Sequence, residues 1–320
     1  MKKKIFISRK LPKIIVEQLS AEFEIDMWEK EDAAIPRDVL VSRIKNADGL
    51  YCMITETIDR EVIASAPNLK IISNMAVGYN NIDVEAATEK GITVTNTPGV
   101  LTETTADLTF ALLMATARRL VESSEYLKSG KWETWSPLQL TGVDIYGSTL
   151  GIIGMGRIGE AVARRARGFD MKVLYHNRSR KPEAEQALGV QYAGFEEILQ
   201  KSDFLCLLLP YSREVHHLIS YKELNLMKKT AVLINTARGG IVNEEALCKA
   251  LIAGNIWAAG LDVFEQEPIS QANPLLTLPN IVTLPHIGSA SIQTRMNMAK
   301  LAANNLIHFF NGTGMEKRVN

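Results

Sequence analysis

Arg238, Glu267 and His286 lie in the second half of the chain and carry side chains suited to acid–base chemistry. The planar guanidinium of an arginine binds a carboxylate through two parallel hydrogen bonds. A histidine is the side chain most readily poised as an acid near neutral pH, and a carboxylate beside it favours its protonated form. Together the three types could hold a carboxylate, polarise a neighbouring ketone oxygen and protonate the alkoxide that forms when the ketone is reduced.

All three residues follow soon after apolar runs of strand length. Their segments read NTARGG from Asn235, DVFEQEP from Asp262 and LPHIGSA from Leu284. The runs before them predict strands at 231–234, 258–261 and 281–284. Because open α/β sheets bind ligands at the carboxyl ends of parallel strands, we expect the three side chains at the ligand-binding edge of a sheet.

A glycine-rich turn precedes these segments in the chain. The predicted strand 148–153 runs straight into GMGRIG and then into a predicted helix. Gly154 permits the tight turn, Gly156 lets a pyrophosphate approach backbone amides, and Gly159 lets helix and strand pack closely. The helix N-terminus faces the negative charge. A purely structural glycine turn is the alternative, but the strand before and the helix after it favour dinucleotide binding.

A basic loop follows the next predicted strand. It reads Asn177-Arg178-Ser179-Arg180-Lys181 and contains no acid. A carboxylate at this position would bind the free ribose hydroxyl of NAD and repel a 2′-phosphate, whereas guanidinium groups and a hydroxyl suit a phosphate dianion. We therefore predict that NADPH is preferred over NADH. The alternative is a solvated basic turn.

Short apolar runs alternate with amphipathic stretches along most of the chain. Over the first hundred residues the alternation predicts a doubly wound, flavodoxin-like domain with four strands, at 4–7, 50–54, 69–75 and 92–95. A long helix over 102–127 is predicted next, followed by an aromatic arm with Trp132 and Trp135. The second series, from residue 148, predicts a Rossmann domain of six strands.

A closing helix over 292–310 is expected to pack back on the first domain. The substrate domain would then be discontinuous, formed by residues 1–100 and 288–320, and residues 101–287 would form the NADP-binding domain. The predicted fold class is α/β, with two doubly wound domains and the active site in the cleft between them.

Charge and cysteine usage argue against several classes of partner. The chain has 36 Lys plus Arg and 36 Asp plus Glu, so no net charge draws it to nucleic acid or a membrane surface. Cys52, Cys206 and Cys248 stand apart in apolar segments, without the spacing of a zinc site or a disulfide framework. The adjacent His216 and His217 point apart on most backbones, so we predict no metal. We expect a soluble, cytoplasmic protein.

These segments, in this order, resemble the D-isomer-specific 2-hydroxyacid dehydrogenases over nearly the whole chain, most closely their glyoxylate/hydroxypyruvate reductase branch, which includes 2-ketogluconate reductases. The resemblance rests on NMAVGYNNID at 74–83, the glycine turn, NTARGG, GLDVFEQEP and LPHIGSA. It implies reduction of a small 2-oxo acid, glyoxylate or hydroxypyruvate, to the 2-hydroxy acid. It also implies that Arg238 grips the carboxylate and ketone oxygen, His286 donates the proton, and Glu267 hydrogen-bonds the imidazole.

The resemblance places further residues in the site. Backbone amides at Val77 and Gly78 would bind the substrate carboxylate, and Asp262 would contact the nicotinamide carboxamide. Trp135 would reach the site of the neighbouring subunit in a homodimer. The remaining expected cofactor contacts are Arg157, Ile158, Pro210, Thr236, Ala237 and Gly288.

Two alternatives stay open. Within the resemblance, the substrate could be 2-ketogluconate or another acid, and the reaction could run in the oxidative direction. In a different class, a dinucleotide-sensing corepressor could share the scaffold without metabolic turnover, because fold alone does not determine function. Such a sensor of NADH would not need a basic loop for a 2′-phosphate.

Overall fold

The computed structural model describes residues 2–314 and 318–320. The chain divides into two compact units, one formed by Met1–Leu101 with Ser291–Asn320 and the other by Thr102–Ala290. The sequence placed the two boundaries after residues 100 and 287.

In the first unit, strands and helices alternate around a parallel sheet. The strands are β1 (Lys4–Ile7), β2 (Glu24–Met27), β3 (Gly49–Cys52), β4 (Ile71–Asn74) and β5 (Thr93–Thr95). The helices are α1 (Lys13–Glu22), α2 (Arg37–Ile44), α3 (Arg60–Ala64) and α4 (Val84–Glu89). The described strands form one five-stranded sheet in the order β2-β1-β3-β4-β5, which is the flavodoxin-like order.

The sheet has one strand more than the four predicted. No side chain of β2 is buried, so its sequence lacks the apolar run that marks β1 or β4. β2 is held by its parallel ladder to β1, from Glu24 beside Lys4 to Met27 beside Ile7. A strand at the edge of a sheet needs fewer buried side chains than a central one, which is why the prediction missed it.

The second unit begins with two helices, α5 (Thr102–Ala117) and α6 (Leu120–Lys128). The prediction of one helix over 102–127 was therefore wrong. Arg119 has a φ of 52°, in the left-handed region, which a right-handed helix cannot continue through. No glycine or proline marks the break. Instead the Arg119 guanidinium donates two 2.7 Å hydrogen bonds to Glu122, in the first turn of α6.

A seven-stranded parallel sheet forms the core of the described second unit. Its strands are β6 (Thr149–Ile153), β7 (Lys172–His176), β8 (Gln191–Tyr192), β9 (Phe204–Leu207), β10 (Val232–Asn235), β11 (Ala258–Leu261) and β12 (Ile281–Thr283). The helices between them are α7 (Arg157–Ala166), α8 (Pro182–Leu188), α9 (Phe195–Lys201), α10 (Tyr221–Leu226) and α11 (Glu244–Ala253).

The strand order is β12-β11-β10-β9-β6-β7-β8, so the order reverses between β6 and β9. This is the doubly wound arrangement of dinucleotide-binding domains, extended by one strand. The prediction of six strands was wrong because β8 has only two residues, both exposed. Side chains of β9 and β10 are buried on both faces, as expected where helices cover both sides of a parallel sheet.

The last helix, α12 (Ile292–Asn311), belongs to the first unit and packs on β3, β4 and α1. Two buried hydroxyls fix its position, because Tyr51 donates to the Ala299 carbonyl at 3.2 Å and Ser73 to the Ala302 carbonyl at 2.8 Å. Beyond it, Val319 donates its amide to the Val94 carbonyl at 2.8 Å. None of the helices in the described ranges combines enough length with enough apolar character to span a bilayer.

Candidate active site

A histidine–carboxylate pair lies beyond the ends of β11 and β12. His286 Nδ1 and Glu267 Oε2 are 2.6 Å apart, and the second oxygen of Glu267 accepts a 3.0 Å hydrogen bond from the Phe264 amide. Burial acts to raise the pKa of Glu267, but the hydrogen bond from His286 and the charges nearby outweigh it, so the pKa lies below its ordinary value. The ionised carboxylate holds a hydrogen on Nδ1 and leaves Nε2 for proton exchange with a ligand.

The backbone of His286 is itself fixed in an uncommon conformation. Its φ is 53°, in the left-handed region, which histidine tolerates better than most side chains. Its amide lies 2.9 Å from the Asp262 carbonyl and 3.1 Å from the Leu284 carbonyl. The ends of β11 and β12 therefore determine where the imidazole sits, and strain of this kind is concentrated at functional sites.

Arg238 lies in a tight turn directly after β10. Asn235, the last residue of that strand, accepts a hydrogen bond from the Ala237 amide at 3.0 Å and donates one to the Arg238 carbonyl at 2.9 Å. Sequence reasoning gave Asn235 no role. The available signal was an amide side chain at the end of an otherwise apolar strand, where such a group can shape the turn.

Gly239 brings the Arg238 turn against the loop that carries Glu267. A Cβ at residue 239 would lie 1.8 Å from the Phe264 carbonyl carbon, so only glycine allows this contact. Burial lowers the pKa of Arg238, and the charge of Glu267 acts in the opposite direction. An arginine stays protonated under such conditions, so the site contains a desolvated guanidinium close to a carboxylate–imidazole pair.

Asp262 offers an acceptor that the described residues leave unused. It is 1 % exposed, and its Oδ1 accepts a 2.7 Å hydrogen bond from the Ile287 amide. Its Oδ2 is buried and has no hydrogen-bond partner in the described part of the chain. Burial raises the pKa of this carboxyl group. A buried acceptor without a partner is uncommon in folded proteins and fits a ligand that donates an N–H, such as a carboxamide.

The glycine turn has the geometry that a dinucleotide requires. Gly154 has a φ of 104°, and a Cβ there would lie 2.6 Å from the Leu208 carbonyl carbon. At Gly156, by contrast, a Cβ would meet nothing within 4 Å. That open space lies at the N-cap of α7, where the first amides, among them those of Arg157 and Ile158, have no partner within the helix. A pyrophosphate fits this position.

In the basic loop after β7, some residues already form hydrogen bonds or ion pairs and others do not. Asn177 accepts a 2.8 Å hydrogen bond from the Met155 amide and so holds the glycine turn. Arg180 forms a two-pronged ion pair with Glu185, with both contacts at 2.7 Å. Arg178 and Ser179 are exposed, and neither forms a hydrogen bond or ion pair with the described residues. They can face a solvent-side phosphate without breaking an existing contact.

The remaining predicted cofactor residues of this unit follow β9, β10 and β12. Pro210 is exposed, and Thr236 shares a 2.7 Å hydroxyl contact with Thr109. Ala237 is 8 % exposed. Gly288 is buried, and a Cβ there would lie 3.2 Å from Asp262 Oδ2. The second unit thus brings Arg238, Glu267, His286 and Asp262 to one edge of its sheet.

Val77 and Gly78 lie in the first unit, in the turn after β4. The Val77 carbonyl accepts a hydrogen bond from Asn96 at 2.8 Å, and the Gly78 carbonyl accepts one from Asn74 at 2.9 Å. Neither residue's amide donates to any described residue. Two side-chain amides therefore hold the turn by its carbonyls and leave its N–H groups for an anion.

Trp135 lies on the arm after α6 and is 75 % exposed, and Trp132 on the same arm is 57 % exposed. Large aromatic side chains with this exposure are typical of surfaces that meet another protein.

Comparison with known proteins finds relatives along most of the chain. Residues 110–288 match the family described as D-isomer specific 2-hydroxyacid dehydrogenase, NAD binding domain. The glyoxylate reductase of Korarchaeum cryptofilum is 51% identical over 98% of this chain and 94% of its own length, and that of Pyrococcus horikoshii is 51% identical over the same shares. The crystal structure of an NADPH-dependent glyoxylate/hydroxypyruvate reductase of Sinorhizobium meliloti, in complex with NADP and malonate, has a TM-score of 0.87 and 33% identity, covering 100% of this chain and 97% of that one.

The doubly wound sheet, its glycine turn and the matches define an NAD(P)-dependent oxidoreductase. More narrowly, the chain belongs to the D-isomer-specific 2-hydroxyacid dehydrogenases. The resemblance seen in the sequence is thereby confirmed.

Proposed function

We propose that the protein reduces a small 2-oxo acid, glyoxylate or hydroxypyruvate, to the corresponding 2-hydroxy acid with NADPH. The observation that carries this proposal is the 2.6 Å His286–Glu267 contact at the same sheet edge as the desolvated guanidinium of Arg238. The relatives named glyoxylate reductase support the choice of substrate.

Each catalytic side chain has one task in this proposal. Arg238 binds the substrate carboxylate and polarises the ketone oxygen, which lowers the barrier to negative charge on that oxygen. His286 donates the proton on Nε2 to the oxygen as the alkoxide forms. Glu267 stabilises the positively charged ring and holds its orientation through Nδ1. In the first unit, the amides of Val77 and Gly78 donate to no described residue, and the family resemblance implies that they bind a carboxylate.

The bound nicotinamide supplies the hydride, and the chain's own residues hold it. The open space at Gly156 suits the pyrophosphate, and the unpartnered Oδ2 of Asp262 suits the carboxamide. Arg178 and Ser179 are the groups available for a 2′-phosphate, which is the support for NADPH over NADH. The NADPH-dependent reductase of Sinorhizobium meliloti supports the same preference.

A homodimer in the cytoplasm completes the proposal. The exposed Trp132 and Trp135 support a partner subunit that covers the arm, with Trp135 reaching the partner's site. The three cysteines are buried and unpaired, as in proteins of reducing compartments. Sedimentation equilibrium of wild type and Trp135→Ala tests the assembly, and a fully active wild-type monomer would exclude it.

The decisive experiment is a panel of 2-oxo acids assayed with NADPH and with NADH and compared by kcat/KM. We expect glyoxylate and hydroxypyruvate to exceed 2-ketogluconate, and NADPH to exceed NADH. A higher kcat/KM for 2-ketogluconate would reassign the substrate, and equal or better efficiency with NADH would remove the cofactor preference. Binding of dinucleotide without turnover of any acid would instead indicate a sensor.

A further inference from the structure

We infer that Glu185 sets the degree of discrimination between NADPH and NADH, because it binds the guanidinium of Arg180 that would otherwise be available to a 2′-phosphate. This inference rests on the proposed cofactor site. It concerns a residue of α8 that no motif marked, since the basic loop ends before that helix begins.

The contacts of Glu185 use both of its carboxylate oxygens. Arg180 donates from Nε to Oε1 and from Nη2 to Oε2, each at 2.7 Å. The Tyr175 hydroxyl donates to Oε1 at 2.7 Å and accepts from the Lys181 amide at 2.7 Å. We call Arg180, Glu185 and Tyr175 the Glu185 clamp. Tyr175 is fully buried in β7, so the clamp is anchored in the strand that ends at the ribose-binding position.

Exposure differs across the clamp. The Glu185 side chain is 18% exposed, whereas that of Arg180 is 65% exposed. The hydrogen bonds from Arg180 and then from Tyr175 lower the pKa of Glu185 to about 2, so the carboxylate is ionised throughout the physiological range. The acid is the fixed member of the pair, and the arginine is the member that could turn towards another anion.

One guanidinium fork cannot bind two anions in the same geometry. A carboxylate and a phosphate both accept two parallel hydrogen bonds from one edge of an arginine, so Glu185, which binds the Nε–Nη2 edge of Arg180, competes with a 2′-phosphate for that edge. In addition, the charge of Glu185 repels a phosphate dianion close by. Arg178 has no such competitor among the described side chains. The basic loop therefore offers one unrestrained guanidinium, where the sequence showed two.

The size of the effect follows from the exposure of Arg180. Ion pairs with a solvent-exposed partner contribute little, so loss of the pair should change NADP⁺ affinity by about two- to fivefold. NAD⁺ has no 2′-phosphate, and its affinity should stay within about twofold of wild type.

The test is calorimetric titration of the full chain, without substrate, with NADP⁺, NAD⁺ and adenosine 2′,5′-bisphosphate. Glu185→Gln should tighten binding of NADP⁺ and of the bisphosphate and leave NAD⁺ unchanged. Glu183→Gln is the matched control, because Glu183 lies on the same helix and forms no ion pair with described residues. It should change neither affinity. Tyr175→Phe, which removes one contact of the clamp, should shift NADP⁺ affinity in the same direction by less.

A double variant distinguishes release of the Arg180 guanidinium from removal of the Glu185 charge. If freeing Arg180 is the cause, adding Arg180→Ala to Glu185→Gln should abolish the gain in NADP⁺ affinity. A gain that persists in the double variant overturns the inference, and so does an unchanged ratio of the two affinities in both Glu185→Gln and Tyr175→Phe. Thermal unfolding of each variant verifies that it folds.

The outcome is distinct from that of the proposed function. Wild-type preference for NADH would contradict the proposed cofactor, yet the ratio of the two affinities should still shift towards NADP⁺ in Glu185→Gln. Conversely, wild type can prefer NADPH while Glu185→Gln leaves the ratio unchanged, which would refute only the role of Glu185.

Discussion

The proposed catalytic edge of the second unit, which carries Arg238, Glu267 and His286, differs from the basic loop after β7 in how its side chains are fixed. Both follow strands of one parallel sheet. At the catalytic edge the main chain does the fixing, through the Gly239 contact and the left-handed His286. In the basic loop the side chains are exposed and pair with a nearby side chain, as Arg180 pairs with Glu185. In the first region the sequence motif therefore specifies the geometry of the side chains, and in the second it specifies only their charge.

The sharpest test of this contrast is His286→Ala. Removing a positioned general acid should lower kcat by about 10²- to 10⁴-fold. NADP⁺ affinity should stay near that of wild type, because His286 acts on the substrate side. Steady-state kinetics with glyoxylate and calorimetry with NADP⁺ measure the two effects, and near-normal turnover would remove the proton-donor role.

Substitution of Arg238 should have the next largest effect. Loss of a half-buried charge-stabilising donor should reduce kcat/KM for the 2-oxo acid by about 10²- to 10³-fold in Arg238→Ala. Arg238→Lys should recover little, because an ammonium cannot reproduce the two-pronged bond to a carboxylate. If the lysine variant matches wild type, the position needs only a charge, and the contrast with the basic loop fails.

Glu267→Gln tests the carboxylate and its pH dependence. The pKa of Glu267 is below its ordinary 4.5, so its ionised form stabilises the fold above that pH, and this contribution is lost as pH falls through the lowered pKa. The Tm difference between wild type and Glu267→Gln should thus shrink as the pH is lowered below about 5. Scanning calorimetry from pH 3 to pH 8 measures it. A difference that grows on acidification would contradict the sign.

The smallest change is expected in the exposed loop. Arg178→Ala should weaken NADP⁺ binding by about two- to fivefold and leave NAD⁺ unchanged, because a single exposed charge pair contributes little. Higher salt should reduce the difference between wild type and variant. Equal loss of affinity for both dinucleotides would assign Arg178 to the shared part of the cofactor instead.

The same contrast explains what the sequence could predict. Arg238, Glu267 and His286 could be singled out as candidates because their motifs follow strands whose apolar runs are visible in the sequence. β8 was missed because a two-residue exposed strand has no pattern. The break at Arg119 was missed because no glycine or proline marks it. Pairing across the fold, such as that of Arg180 with Glu185, depends on where side chains meet in space, which spacing does not encode.

The discontinuous first unit has a consequence for how the protein is made. Its sheet is covered by α12, and Asn320 accepts a hydrogen bond from the Val94 amide at 2.8 Å, so residues translated after the second unit complete a unit that begins before it. Domains tend to fold as they leave the ribosome. The second unit, continuous over Thr102–Ala290, can therefore fold while synthesis continues. Until α12 is made, the strands of the first unit keep an uncovered apolar face. We expect chaperones to meet that face during synthesis, and stalling before residue 292 to leave it exposed to aggregation.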